Sequence, residues 1–176
     1  RGMKVCPTCG LQYPDENERC FVDKAALEPM PDPRLGSVIE GRYRIEAPLG
    51  EGGMAMVYRA RNVLVERPVA VKVMNAHLAK DRSLVERFRR EAKNAAAVAH
   101  PNIIEIYDYG ETEDGTPFLV MELLDGEPLD RIIERGAMPP VQAASIGVQV
   151  ARGLARAHDF DVLHRDLKPE NIFVCR

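Results

Sequence analysis

The sequence predicts an α+β protein in which a strand-rich segment is followed by a helix-rich segment. Alternating apolar and polar residues between positions 43 and 121 indicate five strands, with one helical segment after the third strand. From position 129 onward the apolar residues recur at helical spacing. The chain has 176 residues, of which 45% are apolar and 29% are charged, and this composition is ordinary for a globular protein.

Three clustered cysteines mark a separate module at residues 3–28. Cys6 and Cys9 lie in "CPTCG" and Cys20 lies in "RCFVD", and both stretches resemble the knuckles of a zinc ribbon. The segment has few apolar residues, and clustered cysteines in a reducing compartment indicate metal binding rather than disulfides. Zinc takes four tetrahedral ligands. Asp23 is our candidate for the fourth, with water or a group from another chain as the alternative.

The Cys-Pro-x-Cys spacing also occurs in thiol-exchange enzymes. That chemistry requires a strand before the motif and a helix after it, and "GLQYPDENERC" does not resemble such a unit. The third cysteine and the glycine after Cys9 therefore favour zinc, in a structural or partner-binding role.

A proline-rich stretch, "EPMPDPRLGS", follows the module and predicts a semi-rigid linker over residues 29–42. The main domain is then predicted to begin at residue 43.

The five predicted strands come in two groups separated by a helix. "RYRIEAPLG", "MVYRARN" and "RPVAVKVM" form the first group, and "NIIEIYDYGE" and "PFLVMELL" form the second, joined by the Asp-Gly turn of "TEDGT". Between the groups, Leu84, Phe88 and Ala92 give one apolar face of a helix that Asp81 can cap.

Two further helices are predicted after the strands. A short one covers residues 129–135, and a longer one starts at Pro139 and ends at about His158. The apolar stripe predicted for the longer helix consists of Val141, Ala144, Val148, Ala151 and Ala155. The junction of a strand-rich and a helix-rich half is a natural cleft.

A glycine-rich stretch, "LGEGGMAMV", lies between the first two predicted strands. Glycines let a backbone approach a ligand and direct its N–H groups at phosphate oxygens, although many such stretches are only turns. Lys72, on the next strand, can return beneath this loop, and Glu91 of the helix is its predicted ion-pair partner. The alternatives are a lysine on the solvent face of its strand and a solvated glutamate.

The segment "HRDLKPEN", residues 164–171, combines groups suited to phosphoryl transfer. Asp166 can accept a proton from a hydroxyl, Lys168 can neutralise phosphoryl charge, and Asn171 can offer an oxygen to magnesium. Pro169 prevents a regular helix, so a loop is predicted. The alternative is a polar surface loop with an internal Arg–Asp pair.

With these motifs in place, residues 43–176 resemble the eukaryotic-type Ser/Thr protein kinases, and "GRYRIEAPLGEGGMAMVYRA" is similar to their bacterial members. The resemblance implies a protein-kinase-like fold with an N-lobe at 43–121, a hinge at 122–126 and part of a C-lobe at 127–176. It implies ATP and Mg²⁺ or Mn²⁺ as cofactors, and transfer of the γ-phosphoryl group to a Ser or Thr hydroxyl of a protein substrate.

The resemblance also assigns roles to individual residues. Asp166 becomes the catalytic base, Lys168 a γ-phosphate contact, Asn171 a magnesium ligand, and Lys72 with Glu91 the phosphate-binding ion pair. The nucleotide-binding residues are Leu49, Gly50, Glu51, Gly52, Gly53, Met54, Ala55, Met56, Val57, Ala70, Lys72, Met121, Glu122 and Leu124. Among these, Met121 gates the space behind adenine, and backbone groups of Glu122 and Leu124 bind the adenine edge.

Two departures from the family pattern stand out. Ala55 replaces the usual third glycine of the loop, and no Asp-Phe-Gly follows Asn171, because the "DFD" at residues 159–161 precedes the catalytic segment. We therefore expect the front part of a longer kinase that, as 176 residues, binds nucleotide weakly and is inactive or nearly so. The alternative is a non-catalytic adaptor with a kinase-like fold that binds nucleotide or a protein partner.

The remaining expectations concern partners and location. A formal charge of −3 gives no electrostatic case for nucleic acid. The sequence contains neither an apolar run of membrane-spanning length nor a secretory signal pattern, so a cytoplasmic location is expected. The expected partners are a protein substrate and a protein that binds the zinc ribbon.

Overall fold

The computed structural model describes residues 3–30 and 32–176, and the chain divides into two compact units between Ser37 and Val38. Arg1 and Gly2 precede the predicted cysteine module. They lie outside the described residues, as does Pro31 of the predicted linker.

The first unit is a small three-stranded antiparallel sheet. Its strands are β1 (Met3–Val5), β2 (Gln12–Pro14) and β3 (Glu28–Pro29). Strand β1 lies in the centre, between β2 and β3. The buried core of this unit consists of Cys6, Tyr13, Cys20 and Leu27. Because half of these residues are cysteines, apolar burial alone gives the unit little stability.

The second unit begins with an antiparallel sheet of six strands. They are β4 (Val38–Ile39), β5 (Tyr43–Glu51), β6 (Ala55–Asn62), β7 (Arg67–Met74), β8 (Ile106–Glu111) and β9 (Pro117–Met121). The order across the sheet is β4-β5-β6-β7-β9-β8. Strands β5 to β9 are the five predicted ones. The edge strand β4 was assigned to the linker, so that predicted linker is too long at its C-terminal end.

The two faces of β7 have different surroundings. Val69, Val71 and Val73 enter the main core together with Tyr58 and other apolar residues of the sheet. Since successive strand residues point to opposite faces, Ala70 and Lys72 lie on the other side.

Helix α1 (Arg82–Ala96) follows β7, as predicted, and Asp81 caps it. The Asp81 carboxylate accepts hydrogen bonds from the backbone N–H groups of Ser83 at 2.8 Å and Leu84 at 3.4 Å. Phe88 and Ala92 are buried in a second apolar cluster against the sheet, so the predicted inner face of this helix is confirmed.

The remaining helices are α2 (Leu129–Glu134) and α3 (Pro140–His158). Pro139 precedes α3, which confirms the predicted start of this helix. In the described ranges, no helix combines the length and apolarity required of a membrane span.

The apolar stripe predicted for α3 lies on the exposed side of the helix. Its members are exposed to solvent: Val141, Ala144, Val148, Ala151 and Ala155. The helix packs instead through Gly153 and Ala157, which are buried. A Cβ on Gly153 would lie 3.0 Å from the Asn102 carbonyl oxygen, and the Asn102 amide donates to Gln149 at 3.1 Å. Both stripes have helical spacing, so the sequence pattern did not distinguish them.

A second, two-stranded sheet joins the start of the helical part to the end of the chain. Strand β10 (Gly126–Pro128) pairs with β11 (Phe173–Cys175). Gly126 lies opposite Cys175 and has a φ of +154°. A side chain at this position would collide with the facing strand, because an added Cβ would lie 2.1 Å from the Val174 carbonyl oxygen.

Replacing Gly126 with alanine should therefore destabilise the second unit. The alanine would have to adopt a backbone conformation that side chains disfavour, and its methyl group would separate β10 from β11. We expect the free energy of unfolding, measured by urea denaturation, to fall by about 2–3 kcal/mol.

Gly147→Ala is the matched control. Gly147 lies inside α3, and nothing lies within 4 Å of the position of an added Cβ. Because alanine is the better helix former, this change should stabilise the fold by about 0.5–1 kcal/mol. Equal effects of the two substitutions would contradict the packing described for Gly126.

Candidate active site and metal centre

The glycine-rich stretch forms the tight hairpin between β5 and β6. The Gly52 N–H donates to the Ala55 carbonyl at 2.8 Å and closes the turn. On either side, Gly50 pairs with Val57 and Glu51 pairs with Met56. The predicted nucleotide-covering loop is thus a short turn supported by two strands.

Strand register brings four of the predicted nucleotide-binding residues together beneath this hairpin. Lys72 of β7 lies opposite Val57 of β6, and Ala70 lies opposite Met121 of β9. Ala70 and Lys72 are two residues apart and share one face of the sheet. The patch therefore presents a cation on an apolar surface, next to the glycine hairpin.

The predicted ion pair between Lys72 and Glu91 is not formed among the described residues. The Lys72 ammonium lies over the Phe88 ring, 5.6 Å from its centroid. The Glu91 carboxylate pairs instead with Arg87 at 3.4 Å, and its side chain is 53% exposed. Glu91 follows Phe88 by three residues, so it lies at the edge of the buried face of α1. The rotation of this helix, which the sequence does not specify, decides whether Glu91 faces Lys72.

The three predicted catalytic residues of the loop form one cluster. Lys168 Nζ lies 3.3 Å from Asp166 Oδ2, and the Asn171 amide nitrogen donates to the Asp166 carbonyl at 2.8 Å and to Oδ2 at 3.2 Å. The hydrogen bond from Lys168 is the main cause that lowers the pKa of the Asp166 carboxyl. A carboxylate that stays ionised can accept a proton. Both of these Asn171 contacts use its amide nitrogen, and amide oxygens are ligands that hard cations accept.

Backbone contacts hold this loop in place. Pro169 starts a short 3-10 helix, Pro169–Asn171, and the next residue, Ile172, accepts a hydrogen bond from the Leu129 N–H at 2.8 Å. Together with the β10–β11 pairing, this bond fixes the loop to the beginning of α2.

The predicted hinge contains a contact that no sequence motif predicts. The Glu122 N–H donates to the Glu105 carbonyl at 3.0 Å, and the Glu105 N–H donates to the Glu122 carboxylate at 2.8 Å. Leu124 is half-buried two residues further on. Nothing in the sequence signals this contact, because the two glutamates are 17 residues apart and Glu105 belongs to no motif.

The first unit brings its predicted metal ligands together. The ligand atoms of Cys6, Cys9, Cys20 and Asp23 all lie within 4.8 Å of one another. The Sγ atoms of Cys9 and Cys20 are 3.6 Å apart, and Cys6 Sγ lies 3.2 Å from Asp23 Oδ2. Ligands about 2.0–2.3 Å from a tetrahedral zinc ion are separated by roughly 3.3–3.8 Å, which is close to the two separations found here. The four residues therefore fit a zinc ion.

Two similar turns present the ligands. The Gly10 N–H donates to the Cys6 carbonyl at 2.9 Å, and the Lys24 N–H donates to the Cys20 carbonyl at 3.1 Å. Gly10 and Lys24 have φ values of +74° and +63°. The glycine after Cys9 indicates the first turn in the sequence, whereas no residue type signals the equivalent role of Lys24.

The surroundings of Asp23 and Cys20 also suit a metal centre. A hydrogen bond from the Ala25 N–H is the main cause that lowers the pKa of Asp23 to about 2. The Tyr13 hydroxyl lies 3.1 Å from Cys20 Sγ. Strand β2, rather than a helix, follows Cys9, so the segment lacks the strand-motif-helix arrangement of a thioredoxin-like redox unit.

The second unit is similar in sequence to known protein kinases. Residues 43–176 match the family model described as protein kinase domain. Over 139 residues the chain is 45% identical to serine/threonine-protein kinase pkn2 of Myxococcus xanthus, covering 79% of this chain and 17% of that protein. Over 141 residues it is 42% identical to serine/threonine-protein kinase PrkC of Bacillus subtilis, covering 80% and 22%. The chain thus spans about a fifth of the length of these curated relatives.

The fold is also similar to that of solved structures. The crystal structure of the Mycobacterium tuberculosis PknI kinase domain, C20A mutant, has a TM-score of 0.70 and 30% identity. The similarity covers 83% of this chain and 59% of that chain.

Replacing Lys168 with methionine should raise the pKa of the Asp166 carboxyl toward its ordinary value, because the main hydrogen bond to the ionised form is lost. Because folding lowers this pKa, the ionised carboxylate stabilises the folded state at pH values above the unfolded pKa of about 3.9. This stabilisation is lost as the pH falls through the folded pKa. The measurement is a titration of the carboxyl carbon by NMR.

Lys80→Met serves as the control, since Lys80 is exposed and lies outside the cluster. It should leave the Asp166 titration unchanged. A Lys168→Met protein with the wild-type midpoint would show that the contact is not maintained in solution.

Proposed function

Residues 43–176 belong to the protein kinase domain family, and we propose from this that the protein is an ATP-dependent serine/threonine kinase acting on protein substrates. The observation that carries the proposal is the cluster of Asp166, Lys168 and Asn171, with contacts of 2.8–3.3 Å. The Ser/Thr kinases pkn2 and PrkC are 45% and 42% identical to this chain. This agreement favours a Ser or Thr hydroxyl as the acceptor.

The cluster supplies the groups that transfer to a hydroxyl requires. The hydroxyl oxygen attacks the γ-phosphorus, the bond from that phosphorus to the ADP oxygen breaks, and the hydroxyl proton passes to Asp166. Lys168 lies close enough to Asp166 to contact the phosphoryl group during transfer. Asn171 offers its amide oxygen as a ligand for Mg²⁺ or Mn²⁺, and such an ion neutralises phosphate charge when bound.

The nucleotide is held by the sheet of the second unit. Backbone N–H groups of the hairpin at residues 49–57 cover the phosphates, and Lys72 contacts them from the patch it forms with Val57, Ala70 and Met121. Glu91 becomes the partner of Lys72 when α1 rotates by part of a turn. Two contacts would have to break before this pair could form. They are the ion pair of Arg87 with Glu91 and the contact of Lys72 with the Phe88 ring, and each is weak by itself.

Asp166→Asn should abolish phosphotransfer. Asparagine has a similar shape but cannot accept the proton, so we expect the rate to fall at least about a hundredfold. The measurement is transfer of radiolabelled γ-phosphoryl from ATP to a general Ser/Thr protein substrate, using the full-length protein as its source cells make it.

Asp161→Asn is the matched control from the "DFD" segment. Asp161 has a φ of +57°, which asparagine adopts as readily as aspartate, and it lies outside the cluster. Its activity should equal that of the wild type. If the wild type binds ATP but transfers no phosphoryl group, the non-catalytic adaptor is the correct function.

The first unit has a separate proposed role as a structural zinc site that presents a surface to a protein partner. The fit of four ligand atoms within 4.8 Å supports this role. So does the small core of the unit, because a metal can supply the stability that apolar burial does not. Phe21 and Val22, which follow the ligand Cys20, are 68% and 69% exposed and offer an apolar contact surface.

Asp23→Ala should weaken zinc binding at least about tenfold, because the alanine leaves only three thiolate ligands. Zinc affinity is measured by competition with a chromophoric chelator, and zinc content by elemental analysis of protein purified without chelators.

Glu16→Ala is the control, since Glu16 is an exposed acid of the same unit that lies outside the ligand cluster. It should keep wild-type affinity. A wild type without zinc would rule out the metal centre, whereas a normal affinity in Asp23→Ala would assign the fourth position to water or another chain.

A further inference from the structure

The ladder between β8 and β9 continues by one residue pair beyond the strands. Ile106 pairs with Met121, and the next residues along, Glu105 and Glu122, are joined by the bond from the Glu122 N–H to the Glu105 carbonyl at 3.0 Å. In an antiparallel ladder the two residues of a hydrogen-bonded pair exchange both of their N–H groups. A regular ladder would therefore also join the Glu105 N–H to the Glu122 carbonyl.

A side chain makes this second bond instead. The Glu105 N–H donates to Oε1 of Glu122 at 2.8 Å. The Glu122 carboxylate thus occupies the place of the carbonyl of its own residue. In the described part of the chain, no group donates a hydrogen bond to that carbonyl.

The free carbonyl lies next to the proposed nucleotide site. It belongs to the residue after Met121, whose backbone pairs with Ala70 on the strand that carries Lys72. Glu122 is half-buried, and a backbone carbonyl that the ladder does not use can accept a hydrogen bond from a ligand. The ligand must then supply an N–H donor. The 6-amino group of adenine is such a donor, whereas the 6-oxo group of hypoxanthine is an acceptor.

We infer that Glu122 is a positioning residue for base selectivity. Its carboxylate satisfies the Glu105 N–H and so keeps the Glu122 carbonyl available for a 6-amino purine. The side chain touches no reacting atom and acts through the backbone of its own residue. This inference rests on the proposed binding of ATP.

The test compares the binding of ATP with that of ITP, which carries oxygen in place of the 6-amino group. Dissociation constants are measured by calorimetry for the wild-type chain, Glu122→Ala and Glu122→Gln. In Glu122→Ala the Glu105 N–H loses its acceptor, and the Glu122 carbonyl becomes the nearest replacement. We expect ATP affinity to fall about three- to tenfold while ITP affinity changes little, so that the preference for ATP disappears.

Glu122→Gln keeps an acceptor oxygen and should retain the wild-type preference. Glu105→Ala is the second control, because it removes the side chain but leaves the N–H in place, and it should also retain the preference. Each variant is checked by circular dichroism and by its urea midpoint, so that unfolding is not mistaken for lost selectivity.

Three results would overturn the inference and leave nucleotide binding intact. They are a wild type that binds ATP and ITP equally, a Glu122→Ala protein that keeps the preference for ATP, and a Glu122→Ala protein that loses both nucleotides in parallel. The last result is expected of a merely structural role. A wild type that binds neither nucleotide overturns the proposed function together with the inference.

Discussion

The register of β7 is the constraint on which the proposed nucleotide site depends. Val69, Val71 and Val73 enter the core, and Lys72 therefore emerges on the opposite face. A slip by one residue would exchange the two faces and place the lysine in the core. Each buried valine contributes about 1.5–3 kcal/mol in favour of the observed register, and an unpaired buried ammonium would oppose the alternative. The apolar residues of this strand thus determine on which face Lys72 lies.

The loop that carries Asp166 is organised by different interactions. Its three functional side chains are exposed, so packing in a core does not place them. Short-range hydrogen bonds within the loop and the pairing of β10 with β11 hold them instead. A site built this way depends on backbone geometry, and Gly126 is the position where that geometry excludes a side chain. Replacing a core residue in the sheet would disturb this loop less than widening the contact between β10 and β11.

Local patterns in the sequence were sufficient for much of the fold and for part of the site. The alternation of apolar and polar residues predicted the five long strands, and Asp81 predicted the start of α1. The Asp-Gly pair predicted the turn before Thr116, where Gly115 has a φ of +77°. The spacing of residues in "HRDLKPEN" predicted that Asp166, Lys168 and Asn171 lie in one loop. Each of these features is decided by residues close together in the chain.

The features that escaped prediction depend on distant parts of the chain. The edge strand β4 has only two residues and exists because β5 offers a free edge. In α3, contact with Asn102 selected the face at Gly153 over an equally periodic stripe. The orientation of Glu91 depends on the rotation of α1 against the sheet, and the pairing of Glu105 with Glu122 depends on strand register. None of these choices leaves a pattern in the local sequence.

Carboxylates that accept backbone N–H groups recur at both candidate sites, and in each case a second acceptor of the same residue does not take part in that bond. Asp23 Oδ1 accepts the Ala25 N–H at 3.0 Å, while Oδ2 lies nearest to Cys6 Sγ, on the side where a metal would bind. Glu122 Oε1 accepts the Glu105 N–H, and the carbonyl of Glu122 is then not used by the ladder. Asp81, which caps α1, makes the same kind of bond, with both N–H groups donating to Oδ1. The bond itself is therefore not a sign of function. Asp23 and Glu122 differ from Asp81 in the position of their second acceptor. Asp23 Oδ2 lies beside the three cysteines that could bind the same metal, and the Glu122 carbonyl lies beside the residues proposed to bind the nucleotide.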